Sequence, residues 1–328
     1  MKRHLTYLLL LVICPLMGWA QINTERVMAI GRNALYFEDY VLSIQYFNQV
    51  INAKPYLADP YFFRGLAKIN LDDFSGAESD CTEAIERNPF VVNAYQVRGL
   101  ARIQQDKLAD AVKDYQKALE LDPENIALWH NLALCRIRQK EYDAAKNDLD
   151  RLIIISPRYT KAYLMRGEVD LKQKDTLTAE KDFNRAIEID RYDPDTWASR
   201  GMLYLMKEQY KEAEEDLGKA IHLSVRNPGL YINRALARYH QNNLRGAMAD
   251  YDLAIDMDAN NFIGHYNRGL LRAQVGDDNR AIEDFNFVIE MEPDNMMAIF
   301  NRGLLLDQTG DLRGAIKDYT RVLEEYPN

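Results

Sequence analysis

The sequence predicts an all-α fold, an unbroken array of nine 34-residue helix–turn–helix repeats, and three observations carry that prediction. The first is a strict period. Counted from Thr24, one pattern recurs without insertion or deletion, so repeats begin at Thr24, Ala58, Val92, Ile126, Thr160, Pro194, Pro228, Phe262 and Met296. The second is an alternation of small and large residues. The eighth position holds Gly31, Gly65, Gly99, Ala133, Gly167, Gly201, Ala235, Gly269 and Gly303, and the twentieth holds Ser43 and then Ala in every later repeat. Rings or Leu fill the twenty-fourth, from Phe47 to Tyr319, with Cys81 the small exception. A small residue opposite a large one lets two helix backbones approach closely. The third is punctuation. Pro55, Pro89, Pro123, Pro157, Pro293 and Pro327 close six repeats, and where that proline is missing Pro194 and Pro228 open the next. A helix interior excludes proline, whereas its first turn accepts it.

The third repeat, Val92 to Asn125, shows how each unit is built. Its spacing predicts a first helix from about Asn93 to Gln105 and a second from about Leu108 to Glu120. Tyr95, Gly99 and Arg102 share one face of the first, and Leu108, Ala111, Tyr115 and Ala118 share one face of the second. A helix of roughly a dozen residues is marginal alone in water. Each pair must therefore bury its apolar stripe against neighbouring pairs.

Ahead of the array, residues 1–20 read as a secretion signal. Lys2, Arg3 and His4 form a basic head, a short apolar core follows, and Gly18 and Ala20 place small residues for cleavage between Ala20 and Gln21. The core is too short for a membrane span, and Cys14 between Ile13 and Pro15 fits a lipid-attachment site poorly. The array then occupies residues 21–328 with no integral membrane segment. Cys81 and Cys135 remain, in the second and fourth repeats, and read as buried reduced thiols rather than a bridge. The chain carries a net charge of −9, and loss of Lys2 and Arg3 leaves 39 basic against 50 acidic residues, or −11. A broadly acidic surface attracts neither nucleic acid nor anionic membrane.

A 34-residue period with these small and aromatic positions resembles the tetratricopeptide repeat family, over Thr24 to Asn328. The resemblance implies a right-handed superhelical solenoid whose first helices line a concave channel and whose second helices form the convex outside. Ser43, the seventeenth-position Thr176 and Asp278, and the larger twenty-seventh-position Val50, Leu152, Val288 and Val322 depart from the usual pattern and affect local packing.

Most repeats carry Arg at the seventh position and Asp at the twenty-third: Arg64/Asp80, Arg98/Asp114, Arg166/Asp182, Arg200/Asp216, Arg234/Asp250, Arg268/Asp284 and Arg302/Asp318. Pairing inside a repeat leaves one mismatch, Asp148 opposite Leu132. Pairing across repeats strands more, so charge-assisted bonds within repeats are expected. These are structural ion pairs, not catalytic ones. On that reading Arg268→Ala should destabilise more than joint replacement of Arg268 and Asp284 by Leu.

The candidate binding residues lie on first helices. Asn131, Asn233, Asn267 and Asn301 share the sixth position, the last three in consecutive repeats. An amide both donates and accepts, so it suits a peptide main chain whatever the side chains. The row resembles the asparagine ladder in the repeat domain of the O-linked N-acetylglucosamine transferase. Ile232, Tyr239, Tyr266, Leu270, Phe300 and Leu304 surround it, and the variable fifth-position residues Phe62, Gln96, His130, Tyr266 and Phe300 are candidates for reading a ligand. Arg138, Lys161 and Lys172 would add a basic spot for a carboxylate. The family's carboxylate clamp needs Lys and Asn at the fifth and ninth positions of one repeat, and no repeat has them.

No histidine spacing suggests a metal, no glycine loop cradles phosphate, and nothing implies a cofactor. The expected function is a non-catalytic scaffold that binds an extended peptide or partner protein in the channel. The signal points to the periplasm or outer membrane of a Gram-negative bacterium. The alternative is a structural assembly subunit. Its last repeat has no polar capping helix, which leaves truncation, self-association into a homo-oligomer through that end, or docking on a partner as readings.

Overall fold

The computed structural model describes residues 23–326; the leader with its cleavage point, and Pro327 with Asn328, lie outside the described residues. Among the described residues every regular element is a helix, and there are eighteen. In chain order the pairs are α1 (Thr24–Tyr36) with α2 (Tyr40–Ala53), α3 (Asp59–Ile69) with α4 (Phe74–Arg87), and α5 (Val92–Gln104) with α6 (Leu108–Leu121). Next come α7 (Ile126–Arg138), α8 (Tyr142–Ile155), α9 (Thr160–Lys172) with α10 (Thr176–Ile189), and α11 (Pro194–Met206) with α12 (Tyr210–Leu223). Last are α13 (Pro228–His240) with α14 (Leu244–Met257), α15 (Phe262–Gln274) with α16 (Asp278–Met291), and α17 (Met296–Thr309) with α18 (Leu312–Glu325). The chain divides into two compact bodies, one holding α1–α7 and the other α8–α18.

Within each body consecutive helices pack in order. First helices also touch across repeats: α1 with α3 and α3 with α5 in one body, α9 with α11, α11 with α13 and α15 with α17 in the other. First helices therefore share one side of each body, and second helices lie outside them.

Local chemistry sets the helix ends. Asp39, Asp73, Asp175, Asn243 and Asp311 cap second helices, each side chain accepting the backbone N–H three residues on, as Asp73 Oδ1 does from Gly76 at 2.9 Å. Just before each cap the chain reverses through one left-handed residue: Glu38, Asp72, Asp106, Lys140, Lys174, Glu208, Asn242, Gly276 and Gly310. Only the last two are glycine, so seven turns hold a side chain where glycine would be least strained.

The small-against-large rule shapes each core. A Cβ built on Gly99 would sit 2.8 Å from the Tyr115 ring, and one on Gly31 2.8 Å from Phe47. Tyr115 and Phe47 are fully buried. The larger Val50, Leu152 and Val288 are fully buried too and fill core, whereas Val322 on α18 is half-buried. Cys81 and Cys135 are unbridged and buried, and burial pushes their thiols up to about 12 and about 11.

A second set of ion pairs stitches repeats together, from the twenty-first position of one to the eleventh of the next. Glu78 accepts from Arg102 at 2.9 Å and Glu214 from Arg238 at 2.8 Å. Between α8 and α9 the polarity is inverted: Lys146 reaches the fully buried Asp170 at 2.5 Å. An inverted pair there penalises the wrong repeat as neighbour, because like charges would meet. Partial burial raises the Glu78 carboxyl, but hydrogen bonds from Lys107, Arg102 and Gln105 outweigh it and pull the group down to about 2. Its folded value is depressed, so the stabilisation is complete above about 4.5 and lost as pH falls toward about 2. Glu78→Gln is expected to flatten that acid dependence by roughly 1–2 kcal/mol after solvent screening. Urea melts of the two proteins at pH 6 and pH 3 check it; parallel losses would refute it.

Candidate functional site

All seven Arg–Asp pairs close inside their own repeats, as forked contacts between first and second helix. Arg166 donates to Asp182 through Nε and Nη2, both at 2.7 Å, and Arg302 to Asp318 at 2.8 and 2.7 Å. Every one of the seven aspartates is buried. Four pairs gain a further cation from the eleventh position: Arg102, Arg238 and Arg272 donate to Asp114, Asp250 and Asp284, each at 2.8 Å, and Lys68 lies 2.9 Å from Asp80. Burial pushes the Asp114 carboxyl up despite Arg98 and Arg102, and the bond to Asp182 drives Arg166 up. These clamps are buried and saturated, so they position the first helices and offer nothing to a ligand.

The first-helix face is different in each body. In the body of α1–α7, Asn131, Gln96 and His130 are half-buried, and Arg138 is engaged by Asp106 at 3.0 Å. Phe62 is a correction: it is buried in a core with Tyr61, Cys81 and Val97, and lies against Phe63 with ring centres 5.0 Å apart. Phe63 and Val97 pack with it, so its ring belongs to the core and not to an open face. Ile232 in the other body is buried for the same kind of reason, within the cluster around Tyr231 and Leu271.

In the body of α8–α18 the face is open and apolar. Met202, Leu270 and Leu304 are exposed, and Phe300 is 41% exposed with its ring tilted against Tyr319. Tyr239 is half-buried against the core, and Tyr266 is half-buried edge-on to Phe285. Asn301 donates to the Tyr266 hydroxyl at 3.1 Å, so one amide of the row is spent inside the protein. Asn233 and Asn267 are half-buried and make no side-chain hydrogen bond among the described residues. Lys161 and Lys172 are exposed on α9 without ion-pair partners among the described residues. Nearby on that helix, the exposed Glu168 accepts a hydrogen bond from the Ser199 hydroxyl at 3.3 Å. The sequence reading missed Ile263 and Met297, which with Phe262, Tyr266 and Asn295 line a cavity of about 260 Å³. The signal was available: both stand at the second position, where none of the seven earlier repeats carries a large apolar residue and four carry Glu25, Asp59, Asn93 and Asp195.

Stacked helix pairs with buried registry clamps and one open face of rings, aliphatic side chains and amides define an α-helical repeat scaffold. A family model described as tetratricopeptide repeat matches residues 130–194, 199–262 and 266–328, and another described as TPR repeat matches residues 99–136. The chain belongs to the tetratricopeptide repeat family, with an all-α solenoid of about nine repeats. No curated protein sequence matches it. Among solved structures it is similar to the Cut9–Hcn1 hetero-tetramer of the APC/C, with a TM-score of 0.61 at 15% identity over 88% of this chain and 57% of that one. The present chain thus spans little more than half of that protein's length. It is also similar to a tetratricopeptide repeat protein from Parabacteroides merdae, with a TM-score of 0.60 at 22% identity over 76% of this chain and 98% of that one. At these identities the likeness shows the fold. Proteins of this family are generally non-catalytic protein–protein interaction scaffolds. Among the described residues no helix is long and apolar enough to cross a membrane.

Proposed function

We propose that this chain is a non-catalytic scaffold of the bacterial cell envelope that holds an extended peptide or partner protein, not nucleic acid, along its first-helix face. One observation carries the reading: Asn233 and Asn267 keep unused amides beside the exposed Leu270, Phe300 and Leu304. Amides grip a peptide's main chain, and the apolar side chains supply the burial that gives affinity. The basic-headed leader and the acidic mature charge support export to the periplasm and a protein partner. Peptides selected from a random library on the intact protein provide the test. Joint Asn233→Ala and Asn267→Ala should weaken the selected peptides tenfold or more, about 1.4 kcal/mol. Phe300→Ala should weaken them further, whereas unchanged affinity in both variants would move the contact to another surface.

A second reading rests on α18, where Leu312, Ile316 and Leu323 form an exposed apolar row. It makes the chain an assembly subunit that associates through this helix. Light scattering at tens of micromolar should then report an oligomer that Ile316→Glu dissociates. A monomer at that concentration rules this reading out.

A further inference from the structure

The twenty-fifth position is a bonding position in this array. Asn48, Thr82, Asp150, Asn184, Asp252 and Asn286 each accept a hydrogen bond from the seventh-position Arg of the next repeat, between 2.5 and 3.1 Å. In the sixth repeat that position is Gly218, in the middle of α12, and a Cβ built on it meets nothing within 4 Å. Arg234 of the following repeat accordingly bonds Asp250 alone. A mid-helix glycine lowers helix stability relative to alanine, and this one also forgoes an inter-repeat bond. Stability does not account for it. What it creates is space.

That space is a cavity of about 410 Å³ on the second-helix side, bordered by Tyr192, Trp197, Gly218 and Leu223 with Arg191 and Lys219. Its volume lies in the range of ligand pockets and exceeds an aromatic side chain. Trp197 is held in place, its indole N–H donating to the Arg191 carbonyl at 2.9 Å. Each ring already carries a cation: the Lys219 ammonium lies 4.2 Å from the centre of the Trp197 ring, and the Arg191 guanidinium 5.1 Å from that of Tyr192. Arg191 has no carboxylate partner among the described residues. Among the described residues Lys219 reaches only Asp216, at 3.6 Å, and Arg200 already holds that carboxylate at 2.6 Å. Glu215 is the one acid on the lining. In a chain of net charge −9 this is a local reversal of sign around an aromatic wall.

We propose that this cavity binds an aromatic side chain carried by an acidic peptide segment, at a site sharing no residue with the first-helix face. The ring enters over Gly218 against Trp197, and flanking carboxylates meet Arg191 and Lys219. Such contacts should weaken as salt rises.

The test is fluorescence anisotropy of labelled acetyl-EEFEE-amide on the full chain, with EEAEE and KKFKK peptides as controls. EEFEE should bind at least tenfold tighter than either control. Gly218→Gln places a side chain on the cavity's border and removes a mid-helix glycine. It should weaken EEFEE at least tenfold while raising the thermal midpoint, which separates lost binding from lost folding. Charge reversal by joint Arg191→Glu and Lys219→Glu should shift preference from EEFEE to KKFKK. Equal binding of EEFEE and EEAEE, tighter binding of KKFKK by the parent, or unaltered EEFEE affinity in Gly218→Gln would each overturn the proposal.

Discussion

Asp284→Ala is expected to destabilise the eighth repeat by about 3–5 kcal/mol, the cost of leaving buried charge without its partner. Asp284 is buried at the centre of a four-membered cluster. Arg268 donates to it at 3.1 and 2.7 Å, Arg272 at 2.8 Å, and His265 lies 3.0 Å away through Nδ1. Both guanidiniums are largely buried, so water replaces the lost carboxylate poorly. A stack of repeats need not unfold as one unit, so amide hydrogen exchange in α15 and α16 is the measurement of choice. Loss of protection confined to those helices is expected. Parent-like exchange there would show that the cluster is solvated in solution.

The cluster also changes the comparison between single and double variants. Sequence alone, seeing only Arg268 and Asp284, expects the joint Leu replacement to be milder than Arg268→Ala. The structure reverses that order here, because the double variant strands Arg272 and His265 as well. Among the described residues Asp318 has Arg302 as its sole arginine partner. At that pair the milder effect of joint Leu replacement is expected to hold.

This contrast marks how far the sequence could be read. The helices, their pairing and the small-against-large core follow from local periodicity, which a 34-residue repeat displays nine times over. The Arg–Asp partners follow from counting mismatches between alternative pairings. The eleventh-position arginines were hidden because the position varies, from Arg102 to Asp170 to Tyr204, and its partner depends on the neighbouring repeat. The left-handed turn residues were hidden because Glu38 or Lys174 carries no signal for such a backbone. Phe62 was misplaced for a related reason. The fifth position sits at the edge of the first-helix face, and only the packing of Phe63 and Val97 decides whether its ring is covered.

Phe183→Ala is expected to cost about 3–5 kcal/mol, the range for removing a buried ring whose site cannot collapse. Phe183 is fully buried, and a Cβ on Gly167 would lie 2.6 Å from its Cε1. Gly167→Ala should therefore strain the pair by about 1–3 kcal/mol, less about 1 kcal/mol gained in helix propensity. The array itself sets limits on that strain. The sixth repeat holds Gly201 against Leu217, with a built Cβ 2.8 Å from Leu217 Cγ, while the seventh accommodates Ala235 in one core with Tyr251. The array thus uses both Gly against Leu and Ala against Tyr at this contact. Combining Gly167→Ala with Phe183→Leu is expected to cost at least about 1 kcal/mol less than the two single changes summed, since each relieves what the other creates. Strict additivity in a double-mutant cycle would show that the two positions do not set each other's spacing, and the small-against-large rule would lose its physical basis.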